Sequence, residues 1–294
     1  MNLLTKLASP FTGGAAAGRI SPAAPVAPVG TGSNAVEVAN VAHRGASAYT
    51  PENTLAAVHK GIAMGGDLIE VDVQRTKDGE LVLIHDTNLI RTTDAERLFP
   101  GRAPWNVSDF TYAEILQLDA GSWKSSEYEG EKIPTLAEAV EVIRQSRSGL
   151  LLEIKAPELY PGIEADVAAT MRTFPGYIES AVAGHRLVVE SFNFASMRLY
   201  RELEPTVTVG LLGRPTLEQL PELATWADQV NPQHRSVDAT YVAAVHRAGM
   251  DCLVWTVNSV ANMNRAIDIG VNGVITNRPD ILEQVLRDRG TEVA

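Results

Sequence analysis

From Val38 onward, short apolar or β-branched runs alternate with longer stretches in which apolar residues recur at helical spacing. Eight of the runs are read as strands, over residues 38–43, 67–73, 150–155, 186–192, 207–212, 227–232, 252–257 and 273–276. Several intervening helical stretches follow a residue suited to an N-cap, namely Asn53, Thr135 and Ser259. Eight such units over about 250 residues predict a (β/α)₈ TIM barrel, and an open doubly wound sheet is the alternative.

One insertion breaks this alternation after the second strand. The segment QRTKDGELVLIHD contains two runs joined by Asp78 and Gly79, a dipeptide typical of two-residue hairpin turns. With these residues at the turn, a regular antiparallel ladder places His85 opposite Asp72. Opposed residues point to the same face, with Cβ atoms about 4.5–5.5 Å apart. We therefore predict a β-hairpin that delivers the His85 imidazole beside Asp72.

The first 36 residues differ in composition from the rest of the chain. Residues 1–36 are rich in Ala, Pro, Gly and Ser without a sustained hydrophobic period, which predicts a flexible tail before one barrel domain over residues 37–294. Lys6 interrupts the apolar core that a secretion signal would need, so a cytoplasmic location is favoured over secretion. No run approaches the ~18 apolar residues of a membrane span, and stable membrane insertion is not expected. The single cysteine, Cys252, excludes an intramolecular disulfide.

The charge of the chain limits its partners. The formal net charge is −11 over 294 residues, so nucleic acid or an anionic membrane surface would be repelled. A small phosphate ester remains possible as a partner if the site supplies its own positive charge through a metal ion or a few aimed cations. The oligomeric state does not follow from the sequence.

Three carboxylates stand late in predicted strands. Glu70 and Asp72 are two residues apart and therefore project from one face, while Glu153 has a similar position in LLLEIK, with Lys155 two residues later. The carboxyl ends of barrel strands build the mouth where sites form. The hydrophobic neighbours of these residues indicate buried strands, in which carboxylates need a partner. Three converging carboxylates predict a hard divalent cation, Mg²⁺ or Ca²⁺.

Two histidines end predicted strands at the same mouth. His43 ends the first strand, and His85 ends the hairpin. A lone histidine at a strand end is more often structural, but two beside a carboxylate cluster predict an acid and a base, because an imidazole titrates near neutrality. Of the other histidines, only His234 lies near a predicted barrel mouth, and a structural role is favoured for it.

The motifs that carry these residues resemble the glycerophosphodiester phosphodiesterase family in order and spacing. They are VAHRGASAYTPENTLAAV, EVDVQRTKDGELVLIHD, LEIK, WTVN and GVITNRP, and the resemblance extends from about residue 38 to about residue 286. It implies metal-dependent hydrolysis of a small glycerophosphodiester to sn-glycerol 3-phosphate and an alcohol, within glycerol and lipid metabolism. By that likeness the metal ligands are Glu70, Asp72 and Glu153, and the acid–base pair is His43 and His85.

The same resemblance gives other positions a place around the substrate. Arg44 and Lys155 would contact phosphate oxygens, and Glu52 would orient Arg44 or complete the polar shell of the site. The alternative for Glu52 is a favourable charge in the first turn of a helix. Trp255 is expected to wall the substrate pocket, whereas core packing is the favoured interpretation of Phe192.

Two other functions use the same residues. One is a phospholipase D-like or lysophospholipase D-like phosphodiesterase acting on a lipid, which an apolar entrance loop would favour. The segment 87–131 contains Leu98, Phe99, Trp105 and Phe110, which fit either a small lid or a packing layer. The other is a non-catalytic barrel that binds phosphoesters, although binding alone does not require a proton donor and acceptor.

Overall fold

A computed structural model describes residues 38–290 as alternating strands and helices, and the predicted tail over residues 1–36 lies outside this range. The strands within it are β1 Ala39–Ala42, β2 Leu68–Arg75, β3 Leu81–Leu83, β4 Gly149–Ile154, β5 Leu187–Ser191, β6 Thr208–Leu212, β7 Gln229–Asn231, β8 Asp251–Val254 and β9 Gly273–Thr276. The helices are α1 Leu55–Ala63, α2 Ala95–Leu98, α3 Tyr112–Ile115, α4 Leu136–Arg144, α5 Ile163–Arg172, α6 Tyr177–Ala183, α7 Phe194–Leu203, α8 Leu220–Leu223, α9 Ala239–Arg247, α10 Val260–Asp268 and α11 Pro279–Asp288. Single 3₁₀ turns cover Val107–Asp109, Ser126–Tyr128 and Pro157–Leu159.

Eight of the strands form a closed parallel barrel in the order β1-β2-β4-β5-β6-β7-β8-β9. The ring closes because β1 pairs with β9 on one edge and with β2 on the other. Each of these strands overlaps one of the eight predicted runs, and helices cover the outside. The prediction of a TIM barrel is therefore confirmed, and an open sheet is excluded.

The hairpin after β2 is present, but its predicted register is wrong by one residue. The loop has three residues rather than two, and Gly79 adopts a left-handed φ of 95° at its last position. As a result Val73 pairs with Leu83, and the Ile84 amide donates to Asp72 O. Asp78 accepts hydrogen bonds from Thr76 Oγ1 and the Tyr112 amide, and these contacts favour the three-residue loop, which is itself a common hairpin connection.

The barrel interior has an apolar layer and a polar layer, because side chains alternate between the two faces of each strand. The apolar layer consists of Val41, Leu68, Leu151, Val188, Leu253 and Ile275, which pack together. Two residues after Leu68, Leu151 and Val188 come Glu70, Glu153 and Glu190, which therefore also face inward. The intervening residues pack outward against the helices in the main core. The alternation of a few strands thus places carboxylates in the C-terminal half of the barrel.

The segment between β3 and α4 has a small hydrophobic core of its own. Its buried residues include Leu89 and Phe110, and Phe99 and Trp105 pack partly buried against them. Leu98 is 37% exposed. Three of the four large apolar residues predicted as either a lid or a packing layer therefore belong to a packing layer.

Two of the three predicted helix caps are confirmed. Thr135 and Ser259 cap α4 and α10 as predicted, each accepting a hydrogen bond from a backbone amide of the first turn. Asn53 was predicted to cap α1, but Thr54 does so, and Asn53 is turned toward Asp72 instead. Of the helices between residues 38 and 290, none combines the length and apolarity that crossing a bilayer requires.

Candidate active site

A cavity of about 120 Å³ opens at the C-terminal ends of the barrel strands. Its lining residues are His43, Arg44, Glu70, His85, Glu153, Lys155, Glu190, Phe192, Leu212, Trp255, Thr256 and Ile275. Seven of the nine site residues proposed from the sequence are in this set. Of the remaining two, Asp72 is fully buried beside Glu70 and Glu153, and Glu52 pairs with Arg44.

Glu70, Asp72 and Glu153 form a compact buried cluster. One carboxylate oxygen from each lies within 4.8 Å of the others. The parallel register explains this, because Asp72 on β2 pairs directly with Glu153 on β4, and Glu70 precedes Asp72 by two residues. The sequence spacing and the register of neighbouring strands together bring the three predicted ligands to one point.

The electrostatics of this cluster call for a cation. Burial, followed by the charge of Asp72, raises the pKa values of Glu70 and Glu153 well above the ordinary range. Burial would also raise the pKa of Asp72, but Arg44 and Lys155 outweigh it and lower that pKa. Asp72 Oδ1 is buried and has no hydrogen-bond partner among residues 38–290. An all-oxygen donor set with an orphaned carboxylate oxygen suits Mg²⁺ or Ca²⁺.

The loop after β1 is built tightly around this cluster. Arg44 has a left-handed φ of 54°, and its amide donates to Glu70 Oε2 at 2.6 Å. The following Gly45 has a φ of 75°, and a Cβ there would lie 2.3 Å from the Ala57 carbonyl oxygen. The loop therefore requires glycine at this position to lie against α1. Strained backbone held by its surroundings is common at functional sites.

Two cations lie against the carboxylates. Arg44 Nη1 donates to Glu52 Oε1 at 2.7 Å, and Arg44 Nε lies 3.3 Å from Asp72 Oδ2. Lys155 Nζ is 2.7 Å from Glu153 Oε1 and 3.7 Å from Asp72 Oδ1. Both side chains also line the cavity, so they can meet an anion that enters it.

Asn53 fixes the orientation of Asp72. Its Nδ2 donates to Asp72 Oδ2 at 2.8 Å, and its Oδ1 accepts from the Asp72 amide at 3.1 Å. Asn53 is buried and has a left-handed φ of 58°, which asparagine tolerates better than most residues. The sequence does not reveal this role, because an asparagine before a helix has the same pattern whether it caps the helix or hydrogen-bonds to a residue on another element.

The hydrogen bond of His43 defines its tautomer. His43 Nδ1 lies 2.6 Å from Asn277 Oδ1, an amide oxygen that can only accept, so Nδ1 carries the proton. Nε2 is then free to accept one. Burial and the neighbouring Arg44 lower the pKa of His43 to about 4, so the ring is neutral near pH 7. This arrangement suits a base.

His85 ends a chain of ion pairs that reaches Arg44. Its Nδ1 lies 2.6 Å from Asp86 Oδ1, and Arg91 Nε donates to Asp86 Oδ2 at 2.6 Å. Arg91 also donates through both terminal nitrogens to Glu52, which binds Arg44. Burial lowers the pKa of His85, while the Asp86 hydrogen bond acts in the opposite direction. The sequence interpretation missed Arg91, because its partners lie on separate loops.

An aromatic wall closes one side of the cavity. Trp255 lines it as predicted and donates from Nε1 to the Asn231 carbonyl oxygen at 2.7 Å. The interpretation of Phe192 as core packing is wrong, since its side chain is 53% exposed and meets Trp255 edge to face at 5.6 Å. Phe192 directly follows β5 at the open mouth of the barrel, where it is exposed. A wider cleft of about 710 Å³ continues past Phe192 and Lys155.

Two further polar residues of the site were missed from the sequence. Glu190 is buried on β5 and lines the cavity, and Asn231 on β7 donates to its Oε2 at 2.6 Å. A charged residue inside the apolar run RLVVESF is the same signal that singled out Glu153. His234, in contrast, is buried and does not line the cavity, in keeping with a structural role.

Comparisons with known proteins agree in pointing to one family. The model of the "Glycerophosphoryl diester phosphodiesterase family" matches residues 43–281. A glycerophosphodiester phosphodiesterase of Caldanaerobacter subterraneus is 36% identical over 253 residues, covering 85% of this chain and 98% of the relative. One from Bacillus subtilis is 34% identical, covering 84% and 86%. A phosphodiesterase of Oleispira antarctica, solved in complex with the product sn-glycerol-3-phosphate, matches with a TM-score of 0.75 and 30% identity, covering 85% and 97%.

Proposed function

The chain belongs to the glycerophosphoryl diester phosphodiesterase family, and we propose that it hydrolyses glycerophosphodiesters to sn-glycerol 3-phosphate and an alcohol with His43 and His85 as base and acid. The observation that carries this proposal is the meeting of both imidazoles, two cations and a carboxylate triad at one small cavity. The product found in the Oleispira antarctica relative is the same sn-glycerol 3-phosphate.

Glu70, Asp72 and Glu153 are the residues that would hold a divalent cation. Their fit rests on the buried oxygens within 4.8 Å of one another and on Asp72 Oδ1, which accepts no hydrogen bond from residues 38–290. A bound Mg²⁺ or Ca²⁺ would stabilise negative charge on the non-bridging phosphate oxygens. Arg44 and Lys155 add two fixed positive charges to the same region and orient the phosphate.

His43 serves as the base of the first step. Its Nδ1 is held by Asn277, so the lone pair of Nε2 is available. In the proposed route the glycerol 2-hydroxyl attacks phosphorus, a new P–O bond forms, and His43 takes the hydroxyl proton. A base that is neutral at the working pH needs no prior deprotonation.

His85 serves as the acid of the first step. The carboxylate of Asp86 stabilises its protonated form, and Arg91 holds that carboxylate in place. As the P–O bond to the alcohol breaks, His85 gives its proton to the leaving oxygen. Water then opens the resulting cyclic phosphate, with the two histidines exchanging roles.

The alternatives receive less support. An apolar entrance loop would favour a phosphodiesterase acting on a lipid, but Phe99, Trp105 and Phe110 pack into the core of the inserted segment. A barrel that only binds phosphoesters would not require two imidazoles whose Nδ1 atoms are each held by an oxygen. Leu98 and Ile90 are exposed apolar residues of the inserted segment, and for this reason a lysophospholipid is included among the test substrates.

The test is turnover of glycerophosphocholine by the purified protein with Mg²⁺ or Ca²⁺, measured as release of choline and sn-glycerol 3-phosphate. We expect His43→Ala and His85→Ala each to lower kcat about 10²- to 10⁴-fold. His59→Ala, which changes an exposed histidine on α1, is the matched control and should keep wild-type kcat. Normal turnover in both site variants would refute the acid–base pair.

The substrate assignment needs a separate panel. Glycerophosphodiesters with several alcohol groups are compared with a lysophospholipid and with a nucleotide diester under the same metal conditions. We expect the glycerophosphodiesters to give the highest kcat/KM. Preference for the lysophospholipid would favour the lipid alternative, and preference for the nucleotide diester would remove the substrate assignment while leaving the chemistry in place.

A further inference from the structure

Glu190 lies in the same ring of inward-facing residues as the metal-ligand candidates. In the barrel register Asp72 pairs with Glu153, Glu153 pairs with Glu190, and Glu190 pairs with Gly210. Glu190 is 1% exposed and contributes to the cavity surface. It is nevertheless not a member of the carboxylate cluster within 4.8 Å that Glu70, Asp72 and Glu153 form.

Asn231 fixes the Glu190 carboxyl group. The Leu253 amide donates to Asn231 Oδ1 at 3.2 Å, so the amide nitrogen of Asn231 must face the other way, toward Glu190 Oε2 at 2.6 Å. Gly210 makes room for the pair, because a Cβ there would lie 2.8 Å from Asn231 Nδ2. Three strands therefore cooperate to hold one carboxyl group in a single orientation.

The second oxygen of Glu190 is free to bind a ligand. Among residues 38–290, no side chain or backbone amide donates a hydrogen bond to Glu190 Oε1. Burial raises the pKa of Glu190 to about 7, although the Asn231 hydrogen bond acts against this. A carboxyl oxygen at the cavity surface can hydrogen-bond to a hydroxyl that enters the cavity. An oriented carboxyl oxygen that lies at a cavity surface and accepts no hydrogen bond is expected to meet a polar ligand atom.

We propose that Glu190, held by Asn231, binds the terminal hydroxyl of the substrate's glycerol moiety and makes the site selective for glycerol esters. This inference rests on the proposed function. β5 is three strands away from β1 in the barrel ring, so Glu190 and His43 approach the cavity from different sides. The hydroxyl that reacts must face the histidines, and the one left for Glu190 is the terminal hydroxyl. Sites that hydrogen-bond a hydroxyl discriminate strongly against analogues that lack it.

The test measures binding rather than turnover. The full chain in Mg²⁺ is titrated by calorimetry with sn-glycerol 3-phosphate and with the matching enantiomer of 2-hydroxypropyl phosphate, which lacks only the terminal hydroxyl. Glu190→Leu removes hydrogen bonding at similar volume, and Glu190→Gln keeps it without the charge. Glu164→Leu is the matched control, because Glu164 is also a buried glutamate but hydrogen-bonds to Ser196 outside the cavity.

The wild-type protein should bind sn-glycerol 3-phosphate about 10- to 100-fold more tightly than the analogue. Glu190→Leu should lose that preference while binding the analogue as before, which also shows that the variant is folded. Glu190→Gln should retain most of the preference, and Glu164→Leu all of it. Equal affinities in the wild type, an equal loss for both ligands in Glu190→Leu, or weaker Mg²⁺ binding by Glu190→Gln would each overturn the inference.

These outcomes are separate from those of the proposed function. Wild-type protein that shows the binding preference but does not hydrolyse glycerophosphocholine would remove the proposed activity and leave the Glu190 inference standing. Active enzyme whose preference survives Glu190→Leu would remove the inference alone.

Discussion

Replacement of Asp86 by asparagine should impair His85 without disturbing substrate binding. Asp86 accepts a 2.6 Å hydrogen bond from His85 Nδ1 and does not line the cavity. Asparagine keeps the size of the side chain but loses the charge that stabilises the imidazolium. The effect should therefore fall on proton donation and not on the contacts made by the substrate.

The size of the effect follows from that hydrogen bond. A hydrogen bond to a charged group contributes about 1.5–3 kcal/mol, and about 1.4 kcal/mol corresponds to a tenfold change in rate. The side chains of His85 and Asp86 are 30% and 28% exposed, so solvent screens the pair and the lower part of this range applies. We expect kcat of Asp86→Asn to fall about 10- to 30-fold, with KM changed less than about threefold.

The pH dependence gives a second, independent readout. The Asp86 hydrogen bond raises the pKa of His85 against the lowering caused by burial, so its loss lowers that pKa further. A general acid must hold its proton, and a lower pKa means that the proton is lost at a lower pH. The high-pH limb of kcat should therefore move to lower pH in Asp86→Asn.

The assay is steady-state hydrolysis of glycerophosphocholine across pH at saturating Mg²⁺. Asp109→Asn, an exposed aspartate in the same inserted segment, is the control and should behave as the wild type. An Asp86→Asn variant with wild-type kcat and an unmoved pH profile would show that Asp86 does not act on His85. A rise in KM at constant kcat would instead assign Asp86 to substrate binding.

Two further predictions concern stability. In a urea titration, Gly45→Ala should lower the free energy of unfolding by about 2–4 kcal/mol, because Gly45 has a positive φ and a Cβ would lie 2.3 Å from Ala57 O. Gly249 is the control, because it also has a positive φ but a Cβ there would meet nothing within 4 Å. Gly249→Ala should lower the free energy of unfolding by about 1 kcal/mol. Similar losses would refute the steric argument. With a chelator present, the free energy of unfolding should fall as pH rises above the unfolded-state pKa of Glu70 and Glu153, because the folded protein holds their protons to higher pH. The drop in Tm between pH 5 and pH 8 should be smaller with Mg²⁺ present, and smaller in Glu70→Gln. Parallel curves of Tm against pH would contradict this.

The sequence predicted the parts of the site that lie within one element. Glu70 and Asp72 had to share a face, because side chains two residues apart in a strand do so, and their apolar neighbours indicated burial. The eight strands could be predicted because barrel strands are buried on both faces and therefore appear in the sequence as apolar runs. Glu190 carried the same signal, a charged residue inside an apolar run predicted as a strand, but it was not singled out.

Contacts between elements were harder to predict. The hairpin register was wrong by one residue, because Asp78 is bound by Thr76 and Tyr112 and the loop gains a residue. Phe192 was assigned to the core because an aromatic at a strand end has the same pattern whether or not a helix covers it. Asn53 has the sequence pattern of a helix cap, but its side chain hydrogen-bonds to Asp72 instead.

The sequence by itself therefore determined the barrel, the carboxylates that face its interior and the two histidines at its mouth, since each follows from the period of a single strand and its burial. Only the tertiary structure decided how these groups are held, as in the pairing of His43 with Asn277, 234 residues away, and of Glu190 with Asn231. Pairing of β1 with β9 closes the ring and creates the first pair, and the register of β5, β6 and β7 creates the second. Neither arrangement is contained in a local pattern of residues.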